Sequence, residues 1–197
     1  MLLKLMYKNK SNILLFTAII LLFNSSIYGQ NLFTTRNGAV SITFKYEETI
    51  IMAKSSNVRI KLDYSTATAD LIADVNSIVT GVDSLDEFLK QSDKTLHFYA
   101  TLNLDYIDTK RHPKQSFAFN GTLYHYINKS FLRKKIATLE GKGNLEHLSE
   151  KTNIPACLLT LNFELNPNEL KFSYPYSFMK EFIKVEIIQA VLKSKQL

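Results

Sequence analysis

The feature that most constrains the fold is an alternation of apolar and polar residues with a period of two. Within 135–161, alternate residues are apolar or glycine, first in one run and then, after a polar bend at 147–153, in a second. Such spacing places side chains on one face of a β-strand, so the stretch predicts a β-hairpin. The two apolar faces contain Leu139, Gly141, Gly143 and Leu145, and then Cys157, Leu159, Leu161 and Phe163.

The same alternation recurs before and after this hairpin. Short polar turns, such as Glu47-Glu48 and Asn166-Pro167-Asn168, separate the runs. About eight or nine such strands indicate an antiparallel barrel or sandwich rather than a parallel sheet with crossover helices. The other runs begin at Val40, Ile50, Val58, Ala69, Leu96, Phe117, Leu170 and Ile183.

One segment departs from the alternation. Ser84 and Glu87 have the spacing of a capping box, in which the two residues satisfy each other's backbone donors. The apolar residues after Ser84 recur at helical spacing. We therefore predict one short helix over Leu85–Gln91.

Two glycines, Gly141 and Gly143, lie inside a predicted strand on its apolar face. Glycine weakens a strand interior through conformational entropy and offers no side chain to pack. Two of them indicate either close approach of a ligand, a ring or another backbone, or a bulge or bend in the strand.

Three segments carry a family resemblance. In the hairpin, Gly143-Asn144-Leu145 precedes a polar bend containing a threonine, and Ile154-Pro155-Ala156 follows it. The two earlier segments are Ser77-Ile78-Val79-Thr80-Gly81 with Leu85-Asp86-Glu87-Phe88-Leu89-Lys90, and Tyr106-Ile107-Asp108-Thr109 with His112-Pro113 and Phe117. In this order they resemble the YceI-like, polyisoprenoid-binding proteins of bacterial envelopes, over roughly residues 38–192.

This resemblance implies both a fold and a function. The implied fold is all-β, an antiparallel, lipocalin-like barrel of about eight strands around an elongated apolar pore. The implied function is non-enzymatic binding or carriage of an amphiphilic lipid with an isoprenoid-like or other long-chain tail. A barrel of this size either fills itself with side chains or holds one small ligand, and the resemblance favours the ligand.

The alternation places one set of side chains inside such a barrel. Gly141 and Gly143 are expected to leave the backbone bare beside these side chains, so we expect Gly143→Phe to abolish lipid binding while the barrel still folds. Each ligand methylene buried there contributes about 0.8 kcal/mol. A packed core explains the same aromatic residues equally well. The predicted pore residues are Phe44, Phe117, Phe119, Gly141, Gly143, Phe163, Phe172, Val185 and Ile187.

Two other functions are compatible with the sequence. A solid barrel would act as an envelope interaction or stress protein without a ligand. An enzyme acting on a lipid through a histidine such as His112 has little local support. The four histidines show no metal-ligand spacing, and there is no nucleophile elbow or phosphate-binding glycine loop, so we expect no enzyme, no metal and no cofactor.

The N-terminal residues predict a secretory signal. Lys4, Lys8 and Lys10 precede the apolar run Ile13–Phe23, which is shorter than the roughly 20 residues that span a bilayer. Small residues then lead up to Gly29, the expected cleavage position. We therefore predict a signal peptide over 1–29, one barrel domain over 30–197, and a periplasmic or extracellular location. An uncleaved membrane anchor is the alternative.

The distribution of charge along the chain argues against a nucleic-acid partner. The formal net charge is +6, and three of the positive charges lie in the predicted signal. The remaining Lys and Arg are scattered, whereas a nucleic-acid-binding protein shows a clustered basic surface. The exception, Arg133-Lys134-Lys135, predicts a solvated loop or a site for an anionic headgroup or a membrane surface. Peripheral membrane contact and a dimer are compatible with this sequence.

The sequence contains one cysteine, Cys157, on the apolar face of the second hairpin strand. An exported domain with a single cysteine has no internal disulfide, so its stability depends on the interior of the barrel. We expect Cys157 to be a buried small hydrophobe without a redox role.

Overall fold

The chain forms a closed antiparallel barrel of eight strands in which each strand pairs with the next and β8 pairs with β1. The computed structural model describes residues 32–104, 114–126, 133–148, 156–167 and 181–194. The predicted all-β, lipocalin-like barrel is confirmed. The strands are β1 (Leu32–Tyr46), β2 (Thr49–Asp63), β3 (Thr68–Asp74), β4 (Thr95–Asn103), β5 (Lys114–Tyr126), β6 (Arg133–Leu148), β7 (Ala156–Leu165) and β8 (Ile183–Ser194).

Several predictions fall on other parts of the chain. Three of them lie outside the described residues: the predicted signal over 1–29, the residue His112, and the run that begins at Leu170. Phe172 lies outside them as well. Among the described residues, no helix has the length and apolar composition needed to cross a membrane.

The predicted hairpin is β6 and β7. They pair antiparallel, with Gly141 opposite Phe163 and Gly143 opposite Leu161. His147, which the sequence placed in the bend, instead belongs to β6 and pairs with Cys157. The polar–apolar alternation therefore continues further along β6 than the residue types suggested.

Two of the predicted runs form the single strand β2. In its first half the odd-numbered residues, such as Ile51 and Ala53, face the interior. In its second half the even-numbered residues, such as Ile60, do so, and the inward face therefore changes phase between the two halves. A register shift in the β1–β2 pairing around Gly38 accompanies this change, as expected of a β-bulge. With these two runs joined, and with the run at Leu170 outside the described residues, the described chain contains eight strands.

One helix, α1 (Asp83–Lys90), connects β3 to β4 after a 3₁₀ turn at Val75–Ser77. Its position over one end of the barrel is fixed by backbone hydrogen bonds. Val79 and Lys54 exchange two of them at 2.8 Å, and the Val75 N–H donates to the Lys94 carbonyl at 3.0 Å. These bonds tie the connection to β2 on one side and to β4 on the other.

The helix is confirmed, but the predicted capping box is wrong. The helix begins at Asp83, so Ser84 lies within its first turn, and the N-cap residue makes no side-chain hydrogen bond. The carboxylate of Asp86 instead accepts hydrogen bonds from the Thr80 hydroxyl and backbone N–H, both at 2.6 Å. These bonds hold the pKa of Asp86 below its usual value. A negative charge in the first turn is also favoured by the helix dipole.

Candidate ligand-binding cavity

The interior of the barrel is filled at one end. This packed end comprises fully buried side chains from the strand ends near the β2–β3 turn, and it includes the predicted buried residue Cys157. Side chains in such a core are as closely packed as in an organic crystal. Its residues of 0% exposure include Leu62, Leu145, Cys157, Leu159 and Leu192.

The opposite end, beneath α1, contains a cavity of about 170 Å³. We call this the cavity end. The inward-facing apolar side chains of the strands line it, and Leu85 and Leu89 of α1 close one side. Two small residues, Ala53 and Ala73, also line it, so part of the space arises because these side chains end at Cβ.

Four of the predicted pore residues line this cavity. They are Phe44 from β1, Phe163 from β7, and Val185 and Ile187 from β8. The structure thus brings together residues from three adjacent strands of the barrel, of which β1 lies far in the sequence from β7 and β8.

The other predicted residues that the structure describes lie deeper in the barrel. Phe117, Phe119, Gly141 and Gly143 do not line the cavity, and both phenylalanine side chains are buried. The prediction that the glycines leave the backbone bare is wrong. A Cβ at Gly143 would lie 2.5 Å from Cζ of Phe117, and one at Gly141 would meet the Phe119 ring. Of the explanations that the sequence left open, close approach of a ring is the one observed.

Three phenylalanines form the boundary between the two ends. Phe98 and Phe163 are stacked, with ring centroids 4.9 Å apart, and both line the cavity. Phe119 lies edge-on to both, at 5.7 Å and 6.1 Å. Such pairs contribute about 0.5–1.5 kcal/mol beyond their buried area. We call these three rings the aromatic floor of the cavity.

The cavity is apolar except at its rim, where Thr80, Lys94 and His125 contribute to the lining. Lys94 and His125 are both half-buried. His125 pairs directly with Leu96 of β4, two residues beyond Lys94, and with Lys134 of β6. We call Lys94, His125 and Lys134 the basic rim.

Partial burial lowers the pKa of His125, and the positive charges of Lys94 and Lys134 lower it further. Sequence reasoning singled out Lys134 but missed Lys94 and His125. The available signal was the alternation itself, because Lys94 precedes Leu96 and Phe98 at intervals of two, and His125 follows Leu123 in the same way.

The polar groups of the packed end are structural. The Tyr64 hydroxyl lies 2.6 Å from Nε2 of His147, and its ring stacks on Phe33 at 4.5 Å. Burial raises the pKa of Tyr64 and raises the pKa of the Cys157 thiol to about 11. The prediction that Cys157 is buried is confirmed, and its thiol stays protonated at neutral pH.

A second polar cluster lies on the outer wall of the barrel. His97 is buried between the carboxylate of Asp70, which contacts Nε2, and the Tyr126 hydroxyl, which is 3.1 Å from Nδ1. Its neighbours Leu96 and Phe98 line the cavity, so His97 is on the other side of the sheet. Within the described ranges, no group of three or more His, Cys, Asp or Glu side chains is arranged to hold a metal ion.

The sequence matches no protein-family model and no curated protein. Among solved structures, it is similar to a polyisoprenoid-binding domain from Saccharophagus degradans implicated in plant cell wall breakdown. The TM-score is 0.52 at 10% sequence identity, and the match covers 85% of this chain and 99% of that chain. The similarity at this identity concerns the fold, and it agrees with the barrel that the sequence resemblance implied.

Proposed function

We propose that this protein is a YceI-like binder of an amphiphilic lipid whose apolar tail occupies the cavity. The observation that carries the proposal is the cavity itself. A barrel of about eight strands either fills with side chains or holds a ligand, and among the described residues one end is filled while the other is not. The likeness in fold to a polyisoprenoid-binding domain supports an isoprenoid-like tail.

The size of the cavity limits how much of the tail it holds. Its volume of about 170 Å³ is close to that of an engineered apolar cavity of about 150 Å³ that binds benzene. It therefore accepts one isoprene unit or a few methylenes, and the rest of a longer tail extends past the rim. Burying about five carbons contributes roughly 4 kcal/mol, which corresponds to a Kd near 1 mM. Tighter binding requires contacts outside the cavity.

We place this activity outside the cytoplasm and assign no catalytic step to it. The support for export is the predicted signal at 1–29, with its basic start, apolar run and small residues before Gly29. N-terminal sequencing of the protein recovered from the periplasm or medium should begin at Gln30. Recovery of the full chain in the cytoplasm would contradict export without affecting the cavity.

The direct test is to identify what the exported protein carries. Organic extraction of the purified protein followed by mass spectrometry should recover a lipid with an isoprenoid-like or other long-chain tail. Addition of geraniol, whose tail has two isoprene units, should raise the Tm of lipid-free protein. Recovery of no lipid together with no rise in Tm would favour the solid-barrel alternative, an envelope interaction or stress protein without a ligand.

A matched pair of variants locates the binding. Val185 points into the cavity, whereas Val191 on the same strand is 46% exposed on the outer wall. Val185→Phe should fill the cavity and abolish the geraniol-induced rise in Tm, and Val191→Phe should leave it unchanged. Ile187→Phe provides a second filling variant if Val185→Phe does not fold. Full binding by folded filling variants would contradict the cavity as the site.

A further inference from the structure

We infer that the lipid carries an anionic head, a carboxylate or a phosphate, which binds to the basic rim formed by Lys94, His125 and Lys134. This inference rests on the proposed function, because it assumes that the tail occupies the cavity. It adds the chemical class of the head and the side chains that recognise it.

The three basic side chains lie close together at the barrel edge, His125 and Lys134 on adjacent strands and Lys94 immediately before the first residue of β4. His125 of β5 is paired with Leu96 of β4 and with Lys134 of β6. Directly paired residues have Cβ atoms about 4.5–5.5 Å apart, and diagonal neighbours such as Lys94 lie about 7–8 Å away. Long lysine side chains bridge these separations, so one anion between them is within reach of all three.

No carboxylate among the described residues forms an ion pair with Lys94 or Lys134. By contrast, Lys45, at the same end of the barrel, pairs with Glu181 at 2.9 Å. Asp74 of β3 is engaged elsewhere, since it accepts a hydrogen bond from Thr95 at 2.8 Å and pairs with Arg59 at 3.6 Å. The chain from 109 to 139 contains no Asp or Glu at all. The basic rim is therefore a site of positive charge without a neutralising partner in the described structure.

The position of the rim suits the head of an amphiphile. Lys94 immediately precedes β4, and it is followed on the cavity side by Leu96 and then by Phe98 of the aromatic floor. Four residues of strand span about 13 Å, so a head at the rim places the nearest carbons of its tail against an apolar wall that leads to the floor. The pKa of His125 is depressed first by burial and further by the positive charges of Lys94 and Lys134, and the second contribution agrees with this arrangement.

Ionic hydrogen bonds at the rim supply the contacts that the small cavity lacks. A bond to a charged group is stronger than a neutral one, and the partial burial of Lys94 and His125 limits screening by salt there. We therefore expect an anionic ligand to bind about 10- to 100-fold more tightly than a neutral ligand with the same tail.

The test compares ligands that share a tail or a head. Isothermal titration calorimetry would measure Kd for geranyl phosphate, geranic acid, geraniol and inorganic phosphate on the lipid-free full chain. We expect both anionic amphiphiles to bind more tightly than geraniol, and inorganic phosphate to bind too weakly to measure. The signal of the His125 ring in NMR should show its pKa rising with geranyl phosphate and not with geraniol.

Variants of the basic rim separate the contribution of the head to the affinity from that of the tail. Lys94→Gln combined with Lys134→Gln should weaken geranyl phosphate to the affinity of geraniol and leave geraniol unchanged. Lys61→Gln, which removes an exposed charge from β2, is the matched control and should change neither affinity. Circular dichroism would confirm that the double variant is folded.

The outcomes distinguish this inference from the proposed function. Equal affinity for geranyl phosphate and geraniol in the unmodified protein would overturn the anionic head while leaving the tail in the cavity. Equal affinity for inorganic phosphate and geranyl phosphate would also overturn it, since the rim would then be a site for a free anion. Failure of every geranyl compound to bind would overturn the proposed function itself.

Discussion

The two ends of the barrel are built from the same alternating strands but differ in what fills them. At the packed end, the Phe117 ring lies over Gly143, and leucines from facing strands close the remaining space. At the cavity end, small residues such as Ala53 and Ala73 line the space, and nothing among the described residues fills it. The comparison shows that burial of apolar residues and filling of the interior are separate outcomes, because the second depends on the volumes of side chains that meet from different strands.

Substitution of Gly143 should reveal the largest difference between the ends. A Cβ at this position would meet the Phe117 ring and the Thr160 carbonyl oxygen at 2.7 Å. Overpacking of a core typically costs about 1–3 kcal/mol, so we expect Gly143→Ala to cost this much and Gly143→Phe to prevent cooperative folding. Urea denaturation followed by circular dichroism measures both. A folded Gly143→Phe that has lost lipid binding would restore the bare-backbone interpretation.

Truncation of a side chain should also destabilise the packed end more than the cavity end, with a smaller difference than substitution of Gly143. Leu159 is fully buried in the packed end, whereas Leu96 is half-buried and lines the cavity. Leu159→Ala should cost about 2–5 kcal/mol, and Leu96→Ala should cost less because fewer atoms lose contacts. The free energies of unfolding of the two variants in urea test this order. Equal losses would mean that the cavity end is packed as tightly as the other end.

Addition of volume at the cavity end should have little effect on stability. Ala73→Val projects two methyl groups toward empty space, so its free energy of unfolding should change by less than about 0.5 kcal/mol. The added volume should nevertheless weaken geraniol binding, measured by calorimetry. A loss of stability as large as that of Gly143→Ala would contradict the difference between the two ends.

The reactivity of Cys157 should show how well the packed end excludes solvent, and this test needs no substitution. Since its pKa is raised from 9.0 to about 11, the folded protein keeps the thiol proton that the unfolded chain releases near pH 9. The stabilisation from this group is therefore complete below pH 9 and is lost as pH rises through 11. At pH 8, a thiol reagent such as Ellman's should modify the native protein far more slowly than the protein in urea. Equal rates would show that solvent reaches the packed end.

Much of the fold was predictable because the signal for a strand is local. The period-two pattern identified the β6–β7 hairpin, and its inward faces are the buried ones. The short turns predicted antiparallel neighbours, and the position of α1 was also evident. The capping box failed because Ser84 and Glu87 have suitable spacing but Asp86 is the residue that reaches Thr80, and spacing alone does not show which side chain finds the free donors.

In most strands the residue pattern alone fixed which side chains face the interior, since a side chain's face follows from its parity along the strand. The exception is β2, where the inward face changes phase and Ile50 and Met52 are exposed. The contacts between those residues depend on how the strands pair in the closed barrel. Phe117 covers Gly143 because β5 and β6 pair in that register, and Lys94 joins His125 and Lys134 because three strands place their ends together. Closure of the barrel sets these contacts across many intervening residues, so the boundary between the filled interior and the cavity is a property of the assembled sheet and not of any one strand.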